Sequence, residues 1–153
     1  MANSPPEGQA SSALLGYGSF FRVGNSGSSP TDYMYLSEVS NITPPSLTVD
    51  QVDVTHMQSP GRIREFISGL IDPGETSFEM NFIPGSETDQ ILFDWMNTPV
   101  TESRRRSCQI IFSNGMSWTF NGEITGYEPE APVDDKMTAT VTIKVTGLIT
   151  TNY

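Results

Sequence analysis

Chemistry in this 153-residue chain would have to be built from very few groups. The only histidine, His56, stands close to Asp50 and Asp53, residue types that can share a divalent metal. No second histidine or nearby cysteine completes a zinc-type ligand set, so the spacing reads as a loop histidine. The same scarcity closes many histidine-based acid–base mechanisms. A serine hydrolase would need a Gly-x-Ser-x-Gly elbow, and Gly24-Asn25-Ser26-Gly27 has the wrong spacing. No phosphate loop or dinucleotide fingerprint is present. Glu128, Glu130, Asp134 and Asp135 gather carboxylates in a Pro-containing stretch without the spacing of a helix–loop–helix calcium site. They read as a solvated acidic loop. Asn41-Ile42-Thr43 matches a glycosylation acceptor, which carries no meaning without a secretory route. The single cysteine, Cys108, excludes an intramolecular disulfide and reads as a small buried hydrophobe on a strand. The expectation is a protein without catalytic, metal or cofactor sites.

Charge narrows the partners. Eight Lys and Arg stand against eighteen Asp and Glu, a net charge of −10. Gripping nucleic acid relies on cations that neutralise phosphates, so this balance argues against a DNA-binding role. It also disfavours docking on anionic lipid. The one basic run, Arg104-Arg105-Arg106, has two readings: ion pairs with acidic loops of a neighbouring subunit, or a solvated start of a strand. No basic segment followed by an apolar run opens the sequence, and no apolar stretch approaches the ~20 residues that span a bilayer. Synthesis in a cytoplasm without a membrane anchor is expected.

Hydrophobic residues make up 36 % of the chain and charged ones 17 %, with Ser, Thr, Asn, Gly and Pro filling the gap. That composition suits strands and turns, and it fits a subunit that draws part of its stability from neighbours. The length suits a single domain.

The elements follow from periodicity. Residues 1–31 read as an arm with a first strand, carrying an apolar patch that includes Leu14, Leu15, Phe20 and Phe21; residues 32–153 read as one β-domain. Tyr33 to Val39 is a strand candidate stopped by Asn41 and Pro44-Pro45. Residues 43–62 read as a long, Pro-bounded loop, a length that usually signals function or a covering partner. Ile63 to Ile71 and Thr76 to Ile83 flank a turn at Asp72-Pro73-Gly74, and Phe78, Met80 and Phe82 mark one buried face. A helix is expected over 86–97: Ser86 caps it, Asp89 sits three residues on, and Ile91, Leu92, Trp95 and Met96 form one stripe. Asn114-Gly115 predicts a two-residue type I′ hairpin pairing Ser113 with Met116. That register puts Ile111, Met116, Trp118 and Phe120 on one face and Cys108, Ile110 and Phe112 on the other. From Met137 to Thr146, apolar residues alternate with Thr138, Thr140, Thr142, Lys144 and Thr146. One face is core, and the other is a polar wall that is either plain solvent surface or the lining of a channel.

Three runs carry a resemblance: Tyr35 to Ile42, Val52 to His56, and Glu65 to Glu75 with its Gly69-Leu70-Ile71-Asp72-Pro73-Gly74 core. Together they resemble the major tail tube proteins of long-tailed, lambda-like phages, over about residues 33–148. The resemblance implies a β-sandwich or barrel-like fold with one flanking helix, copies joined into rings of six, and rings stacked into a tube through which DNA is ejected. Such a ring would carry about −60 charges, a field that repels phosphate within a Debye length. It further implies that the chain's main partner is itself, that tape-measure and tail-tip or terminator proteins assist, and that DNA passes without specific binding. On this view the row Thr138, Thr140, Thr142, Lys144, Thr146 is expected to line the lumen. Ring-to-ring or subunit contacts are expected at Leu14, Leu15, Phe20, Phe21, Asp50, His56, Arg62, Arg104, Arg105 and Arg106.

Two competitors stand beside this. A tube subunit of a gene-transfer particle, contractile tail or secretion system would share the pattern. A monomeric carbohydrate-binding β-sandwich would need exposed aromatic residues, whereas Trp95 and Trp118 both read as buried.

Overall fold

The computed structural model describes residues 11, 13–25, 32–99 and 104–152. Most of the chain forms one antiparallel seven-stranded sheet, built from β1 (Phe20–Gly24), β2 (Tyr33–Tyr35), β3 (Val39–Thr43), β6 (Glu75–Asn81), β7 (Arg106–Ile111), β8 (Ser117–Glu130) and β9 (Thr138–Asn152). Their spatial order is β2-β1-β7-β8-β9-β6-β3. The remaining two strands, β4 (Thr48–Asp53) and β5 (Phe66–Asp72), pair only with each other. A mainly β fold with one helix is therefore what the sequence led us to expect.

Alternation places the core. Ala139, Val141, Ile143 and Val145 of β9 are buried, and Phe78 and Met80 of β6 and Ile124 of β8 join them. Helix α1 (Glu87–Met96) covers this face with Ile91, Leu92 and Trp95. Its start is fixed as the sequence indicated: the Asp89 amide donates to Ser86 Oγ at 3.2 Å. Its end is tied down by Trp95, whose indole N–H donates to the Arg104 carbonyl at 2.6 Å. Phe21 closes the other side of the core, its ring tilted against Phe78 with centroids 4.7 Å apart.

Four expectations need correction. The single strand over Tyr33 to Val39 is broken: β2 and β3 lie on opposite edges of the sheet, joined across the core by Leu36-Ser37-Glu38. Glu38 turns the chain in a left-handed conformation (φ 63°) and holds β6 through Asn81, whose amide nitrogen donates to its carboxylate at 2.9 Å.

The loop expected over 43–62 is no loop. It contains β4 and a short 3-10 turn at Pro60–Arg62, and β4 with β5 makes a hairpin whose strand residues are nearly all exposed.

The turn at Asn114-Gly115 has three loop residues instead of two. Phe112 donates to the Met116 carbonyl at 2.8 Å, and only Gly115 takes the left-handed conformation. Register therefore shifts by one. Cys108 faces Phe120 and Ile110 faces Trp118, so one face is apolar, while Gln109 and Thr119 share the other. Trp95 is buried as expected, but Trp118 is only half-buried, edge-on to Phe112 at 5.6 Å.

The last strand runs on past Thr146 to Asn152, where it pairs with Ser117 at the start of β8.

Candidate functional site

Because opposite residues in an antiparallel pair share a face, the register defines a continuous polar wall over β8, β9, β6 and β3. Its rows run Glu123–Lys144–Glu75, then Gly126–Thr142–Ser77–Thr43, then Glu128–Thr140–Glu79–Asn41, then Glu130–Thr138–Asn81. Thr146 extends the wall opposite Asn121. All five residues expected on one face, Thr138, Thr140, Thr142, Lys144 and Thr146, lie here, on the side turned away from α1 and the core.

The wall is acid-rich. Lys144 is its one cation among five glutamates, and it sits directly between Glu75 and Glu123 with its Nζ 3.4 Å from Asp72. Its charge is thus answered within the chain. The Gly74 amide and then Lys144 hold the Asp72 carboxyl below the usual carboxylate range.

This four-stranded wall has two open edges. β3 pairs only with β6, and β8 beyond Gly122 pairs only with β9, because β7 ends at the Arg106–Gly122 pair. Pro129, which cannot donate a ladder hydrogen bond, sits within the open stretch of β8, as edge strands allow. Unpaired edges of this kind invite pairing with another chain.

The arginine run divides. Arg104 donates to the carbonyls of Met96 at 3.2 Å and Ile124 at 3.4 Å, capping α1 and the first part of the β8 edge. Arg106 lies over the Trp95 ring at 5.7 Å, where burial lowers its pKa. Both side chains therefore serve the chain's own fold, and Arg105 alone points outward. Sequence proximity gave no sign of this, since the partners come from the helix end and from β8.

On the arm, Leu14, Leu15 and Phe20 are exposed, and they border grooves shared with Phe112, Ile42 and Pro44. Phe21 is fully buried and belongs to the core, so it is not available as a surface contact. The rest of the arm, residues 1–10, 12 and 26–31, lies outside the described residues.

Asp50, His56 and Arg62 all lie on the β4–β5 hairpin, which the sequence did not show as such. No metal geometry gathers around His56 among the described residues. Instead its Nδ1 accepts from the Gln58 amide at 3.1 Å and its Nε2 faces Glu65 at 3.6 Å. Cys108 is buried, and burial pushes its thiol far above the usual range, which makes it inert packing.

Val49 opposes Ile71 and Val52 opposes Ile67; with the bulge on β5 between them, the two pairs lie on opposite faces, so each side of the hairpin carries exposed apolar β-branched residues. A two-stranded hairpin of this kind is marginal alone in water. Its base is narrow: Gly74 approaches Ser46 so closely that a Cβ there would lie 2.5 Å from the Ser46 carbonyl oxygen.

Solved structures of similar fold come from tubular assemblies. The chain superposes on a protein from the tail of an empty GTA particle refined with C6 symmetry, with TM-score 0.71, 17 % identity, and 92 % and 100 % of the two chains covered. A protein of an extracellular contractile injection system, from its sheath/tube terminator, gives TM-score 0.70 at 13 % identity over 95 % and 100 %. The SPP1 tail tube gives 0.65 at 9 % identity over 92 % and 79 %. No curated protein matches the chain. At the level of sequence, the lambda phage tail tube protein family matches residues 19–151, nearly the whole described fold with its polar wall and hairpin, and the chain belongs to that family.

Proposed function

We propose that this chain is the wall subunit of a phage tail tube, and that copies join laterally by pairing the open β3 edge of one with the open β8 edge of the next. One observation carries the reading: a four-stranded, acid-rich polar wall lies opposite the core, and both of its lateral edges are unpaired. Two different edges make a head-to-tail contact, which closes into a ring when the rotation fits. The six-fold symmetry of the structurally similar GTA tail supports a ring of six.

With the wall turned inward, Thr138, Thr140, Thr142 and Thr146 line the lumen together with Glu75, Glu79, Glu123, Glu128 and Glu130. Carboxylates repel the phosphates of DNA, and threonines give a smooth surface, so DNA slides through without being held. Assembly takes place in the host cytoplasm, with tape-measure and tail-tip proteins as further partners, and the finished protein resides in the virion tail. A gene-transfer particle or contractile tail uses the same wall, and the GTA and injection-system matches favour keeping that second reading.

Negative-stain electron microscopy of the purified protein over a concentration series tests this. Rings or hollow tubes are expected, with tail-tip components added where the protein alone stays monomeric. Introducing Ser40→Pro at the β3 edge is expected to abolish rings while the monomer keeps its fold. A protein that remains monomeric even with tail-tip components would end the reading.

A further inference from the structure

The two open edges of the wall carry complementary relief on their core side. Among the strands, α1 packs chiefly against β8, the last strand of the wall. Two links align it with the open stretch of that strand. Tyr127 donates its hydroxyl to Asp89 at 2.7 Å near the start of the helix, and Arg104 joins the carbonyls of Met96 and Ile124 near its end. From Asp89 to Met96 a helix rises about 10 Å, and from Tyr127 to Ile124 a strand spans about as much. Helix α1 therefore runs along the β8 edge, and the side it leaves unburied looks out past that edge. Phe93 and Met96 stand there, three residues apart and so on one face, 57 % and 36 % exposed. The exposed acids Glu87 and Asp94 lie on the other flank of the helix. Of the nearby cations, Arg104 is held by the two carbonyls, Arg106 lies over Trp95, and Arg105 is exposed.

Along β3 the relief is inverted. A cleft of about 720 Å³ opens between that edge and the turn that leads into β1, lined by Phe20, Val39, Ile42, Pro44, Ile110 and Phe112 among others. Clefts of this size hold sizeable apolar groups, and no charged side chain lines this one. Phe20 is exposed, and Val39, Ile42 and Phe112 are only partly buried against the core. An apolar hollow thus lies at one edge, and two apolar side chains project at the other.

We propose that Phe93 and Met96 of one copy seat in the cleft along the β3 edge of its neighbour in the ring. This rests on the edge-to-edge joining of the tube reading and adds the side chains that select the partner edge. The occupant is a second copy because knob and hollow belong to the two edges that join, on the same side of the wall. Strand direction agrees. The wall has four antiparallel strands, an even number, so copies related by rotation about the tube axis bring β3 and β8 together antiparallel. Backbone pairing alone would accept any strand and several registers. A ring seated in a cleft accepts only β3, and a slip of the pairing would pull it out. An aromatic side chain in a desolvated pocket is also the kind of group on which association depends most.

The test compares ring formation by wild type, Phe93→Leu and Phe93→Asp, using analytical ultracentrifugation and electron microscopy over a concentration series. Phe93→Asp is expected to raise the concentration needed for rings at least about tenfold, as loss of an anchor residue does. Phe93→Leu, still apolar, should raise it by clearly less. Thermal melting of the unassembled variants should match wild type, because Phe93 stands outside the core cluster. In a second measurement the photoreactive p-benzoylphenylalanine replaces Phe93, and heavy and light isotope-labelled chains are mixed before irradiation. Crosslinks between copies, to residues 17–20, 39–44 or 110–112, are expected in rings and absent from monomers. The proposal is overturned if Phe93→Asp forms rings at the wild-type concentration, or if crosslinks in rings stay within one chain or reach other parts of the partner. Wild type forming neither rings nor tubes, even with tail-tip components, would instead remove the tube reading and this contact with it.

Discussion

The seven-stranded sheet and the β4–β5 hairpin are made of the same residues and meet opposite fates. Val141, Ile143 and Val145 are sealed against Phe78, Leu92 and Trp95, whereas Val49, Val52, Ile67 and Ile71 face water. Burying a valine or isoleucine side chain is worth roughly 1.5–3 kcal/mol, so the first group stabilises the chain's own fold and the second leaves that gain unrealised within the chain.

Substitutions can break or sharpen that contrast. Phe78→Ala should cost the unassembled protein about 3–5 kcal/mol in urea unfolding, because it empties the centre of the core. A loss under 1 kcal/mol would mean that the sheet and the hairpin are less different than they look. Gly122→Ala should cost about 1–3 kcal/mol by the same assay, since a Cβ there would lie 2.6 Å from Ile143 Cγ2 and 3.1 Å from the Lys144 carbonyl oxygen.

Acidification probes the neck between the two regions. Asp72 has a folded-state pKa below its unfolded value, so its contribution is complete above the ordinary carboxylate range and is lost as pH falls through the folded value. Hydrogen exchange at Gly74, whose amide donates to Asp72, should therefore quicken at acid pH relative to the core amides, and Asp72→Asn should remove the effect. The smallest expected change is the most telling. Val52→Ser with Ile67→Ser should move monomer stability by no more than about 0.5 kcal/mol while abolishing tubes in the microscope. A large loss of monomer stability would show the hairpin to be part of the core after all.

What the sequence revealed follows the same division. Helix α1 was legible because Ser86, Asp89 and the Ile91–Leu92–Trp95 stripe are local signals, and β9 because its alternation is unbroken. β4 stayed hidden because none of its residues is buried, so neither alternation nor a core partner marks it. The break at Glu38 was invisible because no glycine announces the left-handed residue. At the candidate site, the threonine row could be read as one face, yet its neighbouring glutamates come from β6 and β8, and only register reveals them. The inward fate of Arg104 and Arg106 likewise depends on partners from other elements.

The position of β9 has a consequence in time. It is the most C-terminal strand described, and it lies in the interior of the sheet, between β8 and β6. Until it emerges from the ribosome, β6 and β3 cannot join β8, and the four-stranded polar wall does not exist. Such long-range pairings form late and slowly. On the proposed edge-to-edge joining, a half-made chain therefore has no complete wall to add to a growing tube.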